Sequence, residues 1–537
     1  MMLNFDLVGK NWVYCRTQSG EQVMLSLHDL FSKAHELKEI TDNNPLTVAA
    51  LHRLLLAIIH SAVDGPDKFP DWEALWQRKS FLGTPVLDYL EAKRDRFDLF
   101  SEQYPFYQTA GFTLDTTVTS QKLLHELATG NNKTIFDHNL DDDPAHLSPD
   151  QAARALLTAQ MYSFGGGQGA TSKLFGKHPN FAHAPLVLGA LILIQGRNLF
   201  ETLLLNLLRY SREHSRPIVS FVNDNPVWEQ DSISPDGKNS FDPRPPLGYL
   251  EYLTWRSRHI RLLPQEDNGK LLVRHLYMAQ GNIVYKDFKG DPMFAYGRDK
   301  EQLRFPIKLD TERSFWRNSA ALFEFSDSQD SKKADDRSLT VKQAANLKGE
   351  GILPKGPLRC LVIGIANDKA NPLCWRMEQL TVPSEILQDQ DRVHCLKKAL
   401  EWAEGIGLIL RSQTRSLAQY VLAPDGRKAD TKAVTRLASA FGTEAQYWAR
   451  LDTEFRVFLS QLTDEALLGW YTQVKHTALN VFEETTRHYL SHTARELQAQ
   501  AKATGWLGFE VGKAYKELNL KDAINEEALA EEMEEYS

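Results

Sequence analysis

A glycine-rich stretch at residues 162–173, YSFGGGQGATSK, contains the residue types that hold phosphate groups in many proteins. Gly165, Gly167 and Ala170 match the dinucleotide-binding pattern G-x-G-x-x-A, but that pattern requires a preceding strand, and the residues before this stretch predict a helix. A Walker loop requires the order Gly-Lys-Ser/Thr, whereas this stretch ends in Thr-Ser-Lys. Two interpretations stay open: a tight turn that caps a helix, and a loop whose main chain approaches a ligand closely.

The rest of the sequence contains no recognisable catalytic motif. Neither G-x-S-x-G nor H-E-x-x-H occurs, and the four cysteines form no C-x-x-C pair. The adjacent Asp137 and His138 have the chemistry of a metal or acid–base pair, but no third ligand lies near them in the sequence. We therefore predict a protein that is not an enzyme and that has no metal and no cofactor.

Composition is typical of a folded protein with more than one domain. The 537 residues are 42% hydrophobic and 25% charged, with a net charge of −8. The tail at 525–537 carries six glutamates and no basic residue, which leaves about −2 for the remainder, so one basic face for nucleic acid is still permitted. The N-terminus does not resemble a leader, and the apolar run at 185–194 is about half a membrane span. A cytoplasmic protein without membrane contact is expected.

Several elements are readable from their patterns. Alternating residues around Ser19 and Gly20 predict a β-hairpin, and the apolar spacing at 45–63 predicts a buried helix. A second helix should begin at Ser148, where Pro149 and Gln151 complete a capping box.

The C-terminal part differs in texture from the rest. Short β-like runs between 215 and 375 give way to long amphipathic segments with short connections, which predict a four-helix bundle. These segments lie near 384–423, 431–462, 464–490 and 493–519. The expected fold class is α+β, with a mixed N-terminal domain at 1–378, a bundle with an acidic tail at 379–537, and the boundary within 376–383.

Nine stretches, in this order, resemble the CasA family, the large subunit of the type I-E CRISPR surveillance complex Cascade. They are NWVYCRTQSGEQVMLSLHDL, PLTVAALHRLLLAI, YPFYQTAGF, NKTIFDHNLDDDPAHLSPDQAARALL, FGGG, GRNLFETLLLNLL, PVWEQ, PLGYLEYLTWRSRHIRLLP and KGDPMFAY. The resemblance implies a non-catalytic subunit that reads the protospacer-adjacent motif (PAM) on duplex DNA and helps to open the duplex. It also implies several partners: guide RNA, other Cascade subunits, double-stranded target DNA, its displaced strand and a separate helicase–nuclease.

The resemblance also implies which residues bind the PAM. The glycine loop would face the minor groove, which is too narrow for a helix. The residues that match this loop are Gly165, Gly166, Gly167 and the neighbouring Gln168. A family lysine that reaches the PAM precedes the Asp-Pro pair; the candidates are Lys270 and Arg274, with Lys286 and Lys289 as alternatives.

Two further elements carry over from the family. The long loop at 131–148 would engage the RNA handle, with Phe136 stacking on a base and with Asp137 and His138 beside it. A wedge that starts strand separation would be the turn containing Asn367, Asp368 and Lys369. Lys369 stands where the family often has glutamine, so a phosphate contact would replace the glutamine chemistry; an ordinary Asn-Asp turn is the alternative.

The bundle and the overall function each have an alternative. Basic residues of the bundle would line the displaced strand, or would simply form its solvated face. They are Arg411, Arg415, Lys475 and Arg487. The alternative function is a scaffold or nucleic-acid-binding subunit of another complex, in which the glycine loop is purely structural.

Overall fold

The computed structural model describes most of the chain and divides it into two compact units. The described residues are 3–126, 145–166, 180–230, 242–285, 288, 290–325, 335–368, 371–424, 426–490 and 493–535, with side chains up to 517. The units are Met1–Leu380 and Thr381–Ser537, and their division falls inside the stretch 376–383. The functions assigned to the two regions stay predictions.

The first unit combines nine α-helices with thirteen strands among its described residues. The helices are α1 Leu27–Lys33, α2 Pro45–Val63, α3 Phe69–Gln77, α4 Pro85–Ala92, α5 Pro149–Tyr162, α6 Leu199–Asn206, α7 Tyr249–Leu253, α8 Ala320–Phe323 and α9 Leu339–Gly349. The strands are β1 Val13–Thr17, β2 Gln22–Leu25, β3 Leu37–Ile40, β4 Val118–Thr119, β5 Leu191–Gln195, β6 Pro243–Arg244, β7 Arg258–Asp267, β8 Lys270–Gln280, β9 Ile283–Val284, β10 Tyr296–Arg298, β11 Arg304–Pro306, β12 Leu358–Asp368 and β13 Asn371–Val382.

The strands form small sheets rather than one large one. The three-stranded sheets have the orders β2-β1-β3, β13-β12-β5 and β4-β8-β7, and two-stranded sheets join β10 to β11 and β6 to β9. The predicted N-terminal hairpin is confirmed, with Gly20 at its turn in a positive-φ conformation. A third strand, Leu37–Ile40, was not foreseen, because four residues carry too little alternation to be recognised.

Helix α2 is the centre of the first unit. Residues from Leu46 to His60 are buried, and the helix packs against α4, α5, α6, α7 and strand β12. In the part of the chain that the structure describes, α2 is the one helix whose length and apolar composition suit a membrane crossing, and 83% of that window is buried inside the protein. The predicted buried helix is therefore a core element.

A buried ion pair fixes α2 to the chain that follows β9. The Arg53 guanidinium pairs with the Asp291 carboxylate, and the side chains are 0% and 1% exposed. Arg53 also donates to the carbonyl oxygen of Tyr252 at 2.9 Å. Burial opposes the charge on Arg53, but the Asp291 carboxylate together with nearby tyrosines more than offsets this, so the pKa of Arg53 lies above its ordinary value.

The second unit is a run of helices, as the α+β fold class with a C-terminal bundle predicts. They are α10 Gln390–Leu422, α11 Thr431–Ala440, α12 Thr443–Gln461, α13 Asp464–Tyr489 and α14 Ala494–Glu535. The segment predicted at 431–462 is two helices, because the chain breaks at Gly442, whose φ is +67°. The last helix extends beyond the predicted end at 519.

Buried aromatic side chains join the long helices of this unit. The indole N–H of Trp402 donates to the Tyr471 carbonyl oxygen at 3.1 Å, and that of Trp470 donates to the Ala399 oxygen at 2.9 Å. Both bonds run between α10 and α13, so each indole buries a large apolar area without leaving its polar atom unpaired. The bundle core is therefore specified by shape and by hydrogen bonding.

The Arg53–Asp291 pair yields a stability prediction. Asp291→Asn or Arg53→Met should each lower the free energy of unfolding of the first unit by about 3–5 kcal/mol, because each leaves the other charge buried and unpaired. Chemical denaturation of the full chain measures this, and the double variant should lose less than the sum of the two. Arg94→Met is the control: its pairs with Asp6 and Glu91 are exposed, and about 1 kcal/mol or less is expected. A loss for Asp291→Asn no larger than this control would contradict the assignment.

Candidate nucleic-acid interface

The glycine segment follows directly on helix α5. This helix starts at Pro149, and Ser148 and Gln151 form the predicted capping box, so the predicted helix and its cap are confirmed. At Ser163 the backbone becomes extended and the helix ends. A helix therefore stands where the dinucleotide-binding pattern would need a strand.

Residues 163–166 and 181–184 lie beside each other and form what we call the neck of the glycine segment. Three hydrogen bonds join them: Gly166 N–H to the Phe181 oxygen at 2.8 Å, Gly165 N–H to His183 Nδ1 at 3.0 Å, and Ala184 N–H to the Ser163 oxygen at 2.8 Å. The neck therefore holds Gly166 and Phe181 side by side, although neither side is a regular strand.

The two described glycines of the neck have different roles. A Cβ on Gly165 would lie 2.9 Å from the His183 nitrogen and 3.0 Å from the Phe181 oxygen, so close main-chain packing inside the neck requires glycine there. Gly166 is exposed, and its φ of +116° is a conformation that L side chains rarely adopt. Gly165 therefore has a structural role, whereas Gly166 presents bare main chain to solvent.

The neck has a positive environment. Burial, then the nearby charges of Lys308 and Arg258, hold the pKa of His183 below its ordinary value of 6.5. Because His183 Nδ1 accepts the Gly165 N–H, that nitrogen carries no proton, so the ring is neutral with its proton on Nε2. Lys308 is exposed, and partial desolvation lowers its pKa. A lysine and an arginine therefore lie close to the neck.

The structure does not bring Lys270 and Arg274 to the neck. Both lie on β8, whose last residue, Gln280, accepts the Ala182 N–H at 2.7 Å. Strand rise of about 3.3 Å per residue puts Lys270 roughly 33 Å and Arg274 roughly 20 Å from Gln280. Arg274 also pairs with Asp267 beside the β7–β8 turn. Lys270 and Arg274 therefore lie away from the neck, and their assigned role in PAM binding stays a prediction.

The predicted wedge turn is shorter than expected. Asn367 and Asp368 belong to strand β12, and β13 starts at Asn371, so the connection consists of residues 369 and 370 alone. Residues of β12 from Cys360 to Ala366 are buried, which anchors this hairpin in the unit. Asn367 has an interaction within the protein, and Asp368 is exposed.

Several predicted site residues lie outside the described residues. They are Gly167, Gln168, Phe136, Asp137, His138 and Lys369, together with the alternatives Lys286 and Lys289. Their assigned roles stay predictions.

The basic residues of the bundle are mostly engaged within it. Arg411 pairs with Glu444, and Arg487 pairs with Glu483. Lys475 lies over the Tyr515 ring, 5.1 Å from its centroid. These contacts favour the solvated-face interpretation for three of the four residues.

Sequence reasoning missed the residues that surround the neck. His183, Lys308 and Arg258 are far apart in the sequence, and although Arg258 lies within one of the family-like stretches, nothing in that stretch assigns it to the glycine segment. Only the local pattern of a histidine shortly after the glycine run was visible, and nothing in it indicates an acceptor for a glycine N–H. Among the described residues, no group of three or more His, Cys, Asp or Glu side chains is placed to hold a metal ion.

Comparisons with known proteins place the chain in the class of CRISPR-associated proteins. Residues 6–482 match the family described as CRISPR-associated protein Cse1. The chain is 32% identical over 527 residues to the CRISPR-associated protein CasA/Cse1 of Thermus thermophilus, an alignment that covers 96% of this chain and 98% of that protein. The chain therefore belongs to the Cse1 family.

Solved structures share the fold. The crystal structure of Thermus thermophilus CasA superposes with a TM-score of 0.79 at 30% identity, covering 95% of this chain and all of that one. A chain of a CRISPR RNA-guided surveillance complex superposes with a TM-score of 0.72 at 21% identity, covering 94% of this chain and 99% of that one. The α+β architecture with its helical C-terminal unit is confirmed by these matches.

The neutral His183 predicts a pH-dependent neck. Its lowered pKa means that the unfolded chain binds the proton more readily, so this contribution to stability is complete above about pH 6.5 and is lost as the pH falls through the lowered value. Protonation of Nδ1 removes the acceptor for Gly165. Hydrogen exchange of peptides covering 163–166, corrected for intrinsic rates, should show protection falling at acid pH.

His183→Asn is the matched control for this measurement. Its amide oxygen offers an acceptor near the position of Nδ1 and does not titrate. Protection in this variant should be independent of pH, and a parallel acid loss in both proteins would show that another group controls the neck.

Proposed function

We propose that this chain is the large, non-catalytic subunit of a CRISPR RNA-guided surveillance complex and that its glycine segment contacts the PAM on duplex DNA. Membership of the Cse1 family supports the first part. The observation that carries the second part is the exposed, positive-φ main chain at Gly166, held at the end of a closed neck.

The chemistry of the minor groove suits such a segment. The groove is about 6 Å wide and carries a degenerate set of acceptors, with the guanine amine as its one donor. Main chain without Cβ atoms approaches base edges more closely than side chains do, and it discriminates by crowding against that amine. The residues of the glycine segment that would contact the PAM, Gly165, Gly166, Gly167 and Gln168, would then accept several related motifs rather than a single one.

DNA opening belongs to the β12–β13 hairpin in this proposal. The connection between its two strands, which contains Lys369, is short. Most residues of the preceding strand β12 are buried inside the first unit. A short turn on a rigid strand is suited to insertion beside a base pair, and the ammonium group of Lys369 would bind a phosphate of the separated strands. Pairing with the guide RNA then reads the remaining sequence.

The remaining contacts are with the other components of the complex. Phe136, Asp137 and His138 would engage the RNA handle, and the C-terminal unit would lie along the displaced strand. A separate helicase–nuclease would supply the cleavage chemistry, for which this chain offers no recognisable motif. The cytoplasm is the compartment in which these partners meet.

A structural role of the glycine segment is the competing function. The close packing at Gly165 favours it, because that glycine is explained by the neck alone. In this case the chain would be a scaffold subunit whose nucleic-acid contacts lie elsewhere. Gly166 discriminates between the two, since nothing about the neck requires its exposure.

Gly166→Ala should weaken binding of a PAM-bearing duplex to the reconstituted complex about tenfold, because the methyl group strains a positive-φ residue and separates the main chain from the groove. An electrophoretic series with a randomised PAM measures the affinity and the accepted motifs. Binding of a single-stranded target should not change, because base pairing alone supplies it.

Gly356→Ala is the control variant. Gly356 has a φ of +117°, is exposed and has open space where a Cβ would lie, so the backbone strain is the same at a distant turn. Equal affinities for the two variants would remove the glycine segment from PAM recognition and favour the structural role.

A further inference from the structure

The side chain of Arg258 lies beneath the neck of the glycine segment. Arg258 is the first residue of β7 and is 2% exposed. Its Nη2 donates to two carbonyl oxygens, that of Phe164 at 2.7 Å and that of Ala182 at 2.8 Å. These two residues stand on opposite sides of the neck. One nitrogen atom of Arg258 therefore joins the two sides of the neck.

The rest of the guanidinium is held just as closely. Nη1 donates to the Ser257 carbonyl oxygen at 2.8 Å, and the guanidinium carbon lies 4.5 Å from the centroid of the Phe181 ring, on the returning side of the neck. The Arg258 main chain exchanges two hydrogen bonds of 2.9 Å with the amide of Gln160, on the last turn of α5. Helix, strand and neck thus meet at this residue.

The charge of Arg258 is unusual for a buried arginine. Its partners within the described residues are main-chain and amide carbonyl oxygens and an aromatic ring, and no carboxylate is paired with it there. Burial lowers the pKa of the guanidinium to about 9, so the group is still charged at neutral pH. A buried cation with no carboxylate partner among the described residues is costly, and a fold that needed only apolar packing would place an uncharged side chain here.

We propose that Arg258 is the positioning residue of the DNA-facing glycine segment: it staples the two sides of the neck and so holds Gly166 in the conformation that meets the groove. Arg258 itself is buried and contacts no DNA. This inference rests on the proposed function of the segment. Preorganisation of this kind improves recognition by removing the ordering cost that a loose segment would incur on binding.

An arginine is required by the geometry. The planar guanidinium directs donors to Phe164, Ala182 and Ser257 at once and presents its face to the Phe181 ring. A lysine ammonium keeps the charge but has three donors at a single point and no flat face. Arg258→Lys therefore tests the hydrogen bonds across the neck while the positive charge is kept. Arg258→Met removes both the hydrogen bonds and the charge.

The first readout concerns the neck alone and needs no DNA. Hydrogen exchange in the full chain should show peptides covering 163–166 and 181–184 losing about tenfold or more of their protection in Arg258→Lys, as expected for the loss of a charged hydrogen bond. Arg154→Lys is the matched control, because Arg154 is buried on helix α5, which leads into the neck, and binds Asp150 and Asp42 away from the neck. Unchanged neck protection in Arg258→Lys would contradict the proposal that Arg258 holds the two sides of the neck together.

The second readout concerns recognition by the reconstituted complex. The ratio of affinities for PAM-bearing and PAM-lacking duplexes should fall about tenfold in Arg258→Lys and stay constant in Arg154→Lys. The dependence of binding on salt should not change, because each phosphate that a protein neutralises adds about 0.9 to the slope and Arg258 neutralises none. A shallower slope would show that Arg258 binds a phosphate directly and would overturn the positioning role.

The two readouts separate this inference from the proposed function. Neck protection lost while PAM discrimination persists would overturn the link between Arg258 and recognition. If Gly166→Ala leaves PAM binding intact, the proposed function fails whatever the exchange data show. If Arg258→Met does not fold, which a melting curve reveals, the lysine variant still carries both measurements.

Discussion

The guanidinium of Arg258 is the interaction around which the candidate site is organised. It donates to Phe164 and Ala182 on the two sides of the neck, and its main chain is tied to Gln160 on helix α5. A segment anchored in this way has its ends held by buried polar contacts rather than by apolar packing. The cost of burying the charge is offset in part by the hydrogen bonds that the guanidinium donates to main-chain carbonyl oxygens.

The surrounding helices and strands bring the groups of the neck and Arg258 together. Helix α5 brings the start of the glycine segment, and the β7–β8 hairpin brings Arg258 at the start of one strand and Gln280 at the end of the other. Helix α2 supports this arrangement from within, through its packing against α5 and its ion pair to Asp291. The site is therefore positioned by long-range contacts, so its geometry depends on the stability of the whole first unit.

The same hairpin separates groups that look equivalent in the sequence. Lys270 and Arg258 are both basic residues of one β-ribbon, yet they lie at opposite ends of it. Only the end near Gln280 meets the neck, where Lys308 and His183 also lie. The positive environment of the neck thus arises from Lys308 and Arg258, whereas Lys270 lies at the far turn of the hairpin.

Local patterns in the sequence determined the elements whose signals are short-range: the N-terminal hairpin, the buried helix α2, the capped helix α5 and the helical C-terminal unit. They also identified the glycine segment and the resemblance to its family. Tertiary structure alone decided that Gly165 is needed for packing, that Gly166 is exposed, and that Arg258 and His183 close the neck. Those facts depend on contacts between residues up to 94 positions apart, and local periodicity contains no information about such distances.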